Sequence, residues 1–134
     1  IEDPASFALE RHLEDFLVTN WDQTELAKSY DIYEDDENNT GQQFPTDTGP
    51  IDILAVSKDR KELLVIELKK GRASDSVVGQ IQRYMGHIKN NLAGGKDVKG
   101  LIIALEDDKN LRDALSVAPN IKFMKYEVSF KLVG

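Results

Sequence analysis

Residues 51–70 read Ile51-Asp52-Ile53-Leu54-Ala55-Val56-Ser57-Lys58-Asp59-Arg60-Lys61-Glu62-Leu63-Leu64-Val65-Ile66-Glu67-Leu68-Lys69-Lys70. Two apolar, β-branched runs, 51–57 and 62–69, flank the charged stretch Lys58-Asp59-Arg60-Lys61. That is the pattern of two strands joined by a hairpin turn. Both runs are apolar on both faces: Ile51, Ile53 and Ala55 alternate with Leu54 and Val56, and Leu64, Ile66 and Leu68 with Leu63 and Val65. Such strands belong in the middle of a sheet covered by helices. A hairpin symmetric about Asp59-Arg60 pairs residues whose numbers sum to 119, for a two-residue or a four-residue loop alike, and so sets Asp52 opposite Glu67. Directly opposed Cβ atoms lie about 4.5–5.5 Å apart. The strand period of two puts Lys69 on the face of Glu67.

Working outward, residues 75–92 form an amphipathic helix with Val77, Val78, Ile81, Met85, Ile88 and Leu92 at helical spacing, capped by Ser74 or Asp75 and ended by Gly94-Gly95. Residues 98–105 read as another buried strand, 108–117 as a short helix, and 121–132 as one or two final strands. Upstream, residues 5–20 form an amphipathic helix with Ser6 as N-cap, 25–34 a weak strand, 35–41 a polar loop and 42–46 a short returning strand. The expected fold is a three-layer α/β/α domain with a central mixed β-sheet.

At 134 residues the length fits one domain. The chain opens at Ile1-Glu2-Asp3-Pro4 and reads as a fragment of a longer protein. With no Cys, disulfides, Cys-ligated zinc and Cys nucleophiles are excluded, and a reducing cytoplasm suits the chain. With two His, His12 and His87, both expected at the surface, any metal would be a hard cation on oxygen ligands. No apolar run approaches the length of a membrane span. A net charge of −7 argues against a general nucleic-acid coat. Much of the acid is local, in residues 34–37 and 106–108, while Lys69, Lys70, Arg72 and Arg83 gather elsewhere.

Ionisable residues at the ends of buried strands need a reason, because an unpaired buried charge is costly. Asp52, Glu67 and Lys69 converge at one end of the hairpin. A divalent cation on two carboxylates with an ammonium beside it suits phosphodiester hydrolysis. Alone, Glu67-Leu68-Lys69 would be an ordinary surface ion pair. It is instead preceded by Gly49-Pro50-Ile51-Asp52 at hairpin spacing and followed by a helix carrying Gln80 and Tyr84.

Taken together, Thr48-Gly49-Pro50-Ile51-Asp52-Ile53-Leu54, Leu64-Val65-Ile66-Glu67-Leu68-Lys69-Lys70 and Gln80-Ile81-Gln82-Arg83-Tyr84 resemble PD-(D/E)XK nucleases of the NucS-type branch, with the layout shared by Mrr-like restriction enzymes. The resemblance implies a restriction-endonuclease-like fold, Mg2+ or Mn2+ as cofactor, and double-stranded DNA as partner. Asp52 and Glu67 would be metal ligands, Lys69 the catalytic lysine, and Gln80 the residue that helps place the metal water or a phosphate, with Tyr84 packed to orient it. A Glu of the first helix is expected in such sites. Glu10 is the candidate and Glu14 its competitor. Lys70, Arg72 and Arg83 are candidate DNA contacts. NucS-type mismatch enzymes are dimers with a separate N-terminal DNA-binding domain. Further domains and a homodimer are therefore expected of the parent protein, but mismatch specificity does not carry over. The rival readings are a catalytically silent DNA- or protein-binding module on the same fold, and an RNA-processing nuclease.

Overall fold

In the computed structural model the described residues are 4–127 and 132–134, with side chains from Arg11 onward. The hairpin forms where its pattern demands. Strands β3 (Ile51–Ser57) and β4 (Glu62–Leu68) are antiparallel, with Ile53 opposite Ile66, Leu54 opposite Val65, Ala55 opposite Leu64 and Val56 opposite Leu63. Arg60 turns the chain at φ 64°, and the Asp59 carboxylate accepts from the Ser57 hydroxyl at 2.6 Å and the Lys61 N–H at 3.0 Å. Ile53, Leu54, Ala55, Val65 and Ile66 have no exposed surface. Burying each of the larger of these side chains stabilises the fold by about 1.5–3 kcal/mol.

Around this hairpin stand α1 (Pro4–Thr19), β1 (Tyr30–Ile32), β2 (Gln42–Phe44), α2 (Ser76–Asn91), β5 (Asp97–Ala104), α3 (Lys109–Ser116) and β6 (Ile121–Lys125). The sheet runs β1-β3-β4-β5-β6, with β2 also paired to β3. β4, β5 and β6 are mutually parallel, while β1 and β2 pair antiparallel with β3, so the sheet is mixed as expected. One face packs Leu54, Val56, Leu63 and Val65 against Val77, Ile81, Tyr84 and Ile88 of α2 and Leu111 of α3. The other packs Ile53, Ala55, Leu64, Ile66 and Leu68 against Trp21, with Leu13, Leu17 and Val18 of α1 on it. These are the three layers. No helix among the described residues is long and apolar enough to cross a membrane.

Several expectations need correction. Residues 25–28 form a 3-10 turn after another at Trp21–Gln23, leaving only Tyr30–Ile32 as strand. Trp21 causes this: it is 5% exposed, and its indole donates to the Tyr30 carbonyl at 3.0 Å, folding the segment back. Ser6 lies inside α1, which starts at Pro4, a residue whose fixed φ and missing N–H suit a first helical turn. Asp75 occupies the N-cap of α2 without a side-chain capping bond, and Ser74 pairs with the Ser76 hydroxyl. Asp108 does cap α3, accepting from the Leu111 N–H at 2.8 Å. Ile51 joins the cluster of Leu54 and Val56, not that of Ile53, so alternation breaks at Asp52. The final strand ends at Lys125, and the rest of the expected 121–132 run reaches outside the described residues.

Candidate functional site

The register brings two polar residues together at one end of β3. Asp52 lies one residue beyond the Ile53–Ile66 pair, where the pairing of β3 with β4 ends. On its other side, β2 pairs Gln42 with Ile53 and Phe44 with Ile51, which places Gln43 across from Asp52. Gln43 and Asp52 therefore form one row on two adjacent strands, with Glu67 near the end of β4. The Asp52 Oδ2 accepts from the Leu68 N–H at 2.8 Å, tying the carboxylate to the end of β4. Glu67 is 4% exposed. A half-buried Lys69 follows β4, its N–H bonded to the Ile103 carbonyl at 2.9 Å. Its ammonium makes no ion pair or hydrogen bond among the described residues.

Among the described residues, the helical glutamate that reaches this row is Glu14. It is 3% exposed, on the stripe of α1 that carries Leu17 and Val18 three and four residues on. Its Oε1 accepts from Gln43 Nε2 at 2.5 Å and its Oε2 from Gln42 Nε2 at 2.8 Å. The same Gln43 nitrogen lies 3.5 Å from Asp52 Oδ1, while the Gln42 nitrogen also bonds Asp15 at 2.8 Å. Burial raises the Glu14 carboxyl above its usual range, and the charge of Asp52 pushes it the same way, against the lowering effect of the two glutamine bonds. The side chain of Glu10, the candidate from sequence, lies outside the described residues. Gln43 escaped the sequence reading altogether. Nothing local marks it; its role follows from a strand pairing and a left-handed backbone, φ 52°.

The Gln80 amide donates to the Tyr84 hydroxyl at 3.4 Å. Tyr84 is 6% exposed and reaches the Thr46–Gly49 turn that leads into β3, where a Cβ added to Gly49 would sit 3.5 Å from its hydroxyl. Tyr84 thus links the glutamine to the loop preceding Asp52. Of the three candidate DNA contacts, Arg72 pairs with Glu106 at 3.2 Å on an exposed surface. Arg83 is exposed on α2, and the Lys70 carbonyl accepts from the Tyr126 hydroxyl. His12 is exposed as expected; His87 is half-buried at the surface, and its Nδ1 lies 3.7 Å from the exposed Asp47. A surface cleft of about 700 Å3 is lined by Tyr33, Val56, Arg60 and Leu63 at the far end of the hairpin, away from Asp52.

Among the described residues no three Asp, Glu or His side chains gather closely enough to enclose a metal ion. Glu14 and Asp52, however, each turn an oxygen toward one point, where the Gln43 amide nitrogen lies. A pair of hard oxygen donors fits Mg2+ or Mn2+: Mg2+ keeps several waters and needs only one or two carboxylates from the protein.

The sequence profile of the family "Endonuclease NucS C-terminal domain" matches residues 10–129. This chain belongs to that family. Endonuclease NucS of Methanocaldococcus jannaschii is 31% identical over 79 residues, 59% of this chain and 29% of that protein. The crystal structure of a repair endonuclease from Pyrococcus abyssi superposes with a TM-score of 0.66 at 22% identity, covering 95% of this chain and 48% of its own. An EndoMS–double-stranded DNA complex gives 0.69 at 18% identity, covering 98% and 48%. The NucS-family chain described here spans about half the length of those solved chains. Its fold is the restriction-endonuclease-like one expected from the sequence.

Proposed function

We propose that this NucS-family domain is the catalytic part of a longer protein that hydrolyses phosphodiester bonds in double-stranded DNA with Mg2+ or Mn2+. One observation carries the reading: at the end of a buried hairpin, Glu14 and Asp52 each turn a carboxylate oxygen toward one point. Two carboxylates that share one point repel unless a positive charge lies between them. The relatives' names point the same way, being those of endonucleases, one of them in complex with double-stranded DNA.

Asp52 and Glu14 would hold the cation, with Glu67 as the further ligand that the family resemblance implies. When bound, a divalent ion polarises a phosphoryl oxygen and lowers the pKa of a coordinated water. The Lys69 ammonium orients the attacking water or stabilises charge that develops on the phosphoryl group. Gln80, held by Tyr84, positions that water or a phosphate oxygen. Lys70, Arg72 and Arg83 meet backbone phosphates. Arg72 must exchange Glu106 for DNA, a small cost because exposed ion pairs contribute about 0–1 kcal/mol. The parent protein's other domains supply most of the DNA affinity, as a homodimer, in the cytoplasm.

The test is incubation of duplex DNA and of RNA with Mg2+ or Mn2+. DNA is expected to be cut, and cleavage to be lost in Asp52→Ala, in Glu67→Ala and in excess chelator. Equal cleavage in chelator would sink the metal-dependent reading. Binding without cutting would leave a silent module, and cleavage confined to RNA would change the substrate class.

A further inference from the structure

Gln43 sits where a cation would be expected. Its Nε2 lies 2.5 Å from Glu14 Oε1 and 3.5 Å from Asp52 Oδ1, between two carboxylates of the proposed site. Its backbone is held at φ 52°, a region that non-glycine residues visit rarely and at a cost. The neighbouring strand pairs, Gln42 with Ile53 and Phe44 with Ile51, over-determine that conformation. The adjacent Gln42 is a natural control, because its amide bridges Glu14 and Asp15 and does not reach Asp52.

We infer that Gln43 is a placeholder for the cation: its amide N–H groups neutralise the Glu14–Asp52 pair in the metal-free protein and must turn away when a divalent ion enters. An ammonium or a metal would serve the two acids better, but a side-chain amide is what the strand register delivers without one. The amide N–H groups carry partial positive charge and form charge-assisted bonds to carboxylates. The ion competes for the same oxygens, so Gln43 lowers the affinity of the site while keeping its ligands in place. Gln43 is a positioning residue that sets how tightly the site takes its metal. This inference rests on the cation site proposed above.

Calcium alone, titrated calorimetrically into the 134-residue chain, is the probe, with thermal melts in chelator beside it. Gln43→Met keeps the length of the side chain and the backbone strain but removes the donor. It is expected to melt lower in chelator yet to bind calcium about tenfold more tightly, since the ion no longer displaces a charge-assisted bond. Gln43→Asn tolerates the positive φ and leaves the amide too short to bridge both acids. It gives the same direction if the methionine variant does not fold. Gln42→Met is expected to melt lower without any gain in affinity. Unchanged or weaker calcium binding in both Gln43 variants, with parent binding intact and lost in Asp52→Asn, would make Gln43 merely structural and leave the cation site standing. Calcium uptake absent from the parent, or indifferent to Asp52→Asn, would remove the cation site and the role of Gln43 with it.

Discussion

Glu14→Gln should stabilise the metal-free protein. The Glu14 Oε1 and Asp52 Oδ1 lie 2.5 and 3.5 Å from one nitrogen, so they are no more than about 6 Å apart. Two unit charges at that distance repel by about 3 kcal/mol at an effective dielectric of about 20, and by less where water reaches half-buried Asp52. The substitution removes this repulsion and the desolvation of a carboxylate that is 3% exposed. Against it, the bonds from Gln42 and Gln43 lose their charge assistance, at about 1 kcal/mol each. The net expectation in chelator is a gain of about 1 kcal/mol, or roughly 4 °C in melting temperature for a chain of this size. Calcium should reverse the order. It stabilises the parent by about 2.7 kcal/mol at one hundred times its dissociation constant, and the variant by much less. Thermal melts of both proteins, with chelator and with calcium, contain the whole test. A variant that melts lower in chelator, with equal calcium shifts for both proteins, would make Glu14 an anchoring partner of the two glutamines and refute the repulsion argument.

Other outcomes are expected. Lys69→Ala should keep calcium binding and lose about 10²–10³ in cleavage rate, seen by single-turnover assay; normal turnover with weaker DNA binding would make it a phosphate anchor instead. Gly41→Ala should destabilise by about 1–3 kcal/mol or more in denaturant melts, because the new Cβ would lie 2.1 Å from the Leu54 carbonyl oxygen in the strand pair that carries Gln42 and Gln43. Arg83→Ala should lower the slope of DNA affinity against salt by about one counterion, and Arg72→Ala by less, since Glu106 already neutralises part of its charge. The Asp59 carboxyl is held below its usual range by the Ser57 hydroxyl and then the Lys61 N–H, so it stabilises the fold above the ordinary carboxylate pKa and loses that contribution as pH falls through the folded value. Asp59→Asn should therefore be less stable than the parent at neutral pH, with the gap closing in acid.

The hairpin was legible because its information is local. Strand side chains repeat every two residues and a symmetric turn leaves one register, so the 119 rule predicted Ile53–Ile66 through Val56–Leu63 as they stand. The same locality supplied α2, whose apolar stripe from Val77 to Ile88 faces the sheet. Local signals failed where a distant group decides. The 3-10 turns at residues 21–28 follow from Trp21 finding the Tyr30 carbonyl, and periodicity in a short segment does not encode that contact. Helical spacing put Glu10, one step from Leu9 and Leu13, ahead of Glu14, and the side chain of Glu10 lies outside the described residues. The placement of α1 against β2 and β3 is what drives Glu14 into the row. Gln43 depends on tertiary structure most of all. Its sequence neighbourhood is polar and unremarkable, and only the pairing of β2 with β3, together with a left-handed backbone, aims its amide between two acids. The amino-acid sequence by itself determined which residues carry charge on a buried hairpin, because burial of strands is written in their periodicity. The tertiary structure alone decided which side chains close over that charge, because contacts between segments far apart in the chain depend on how the layers stack.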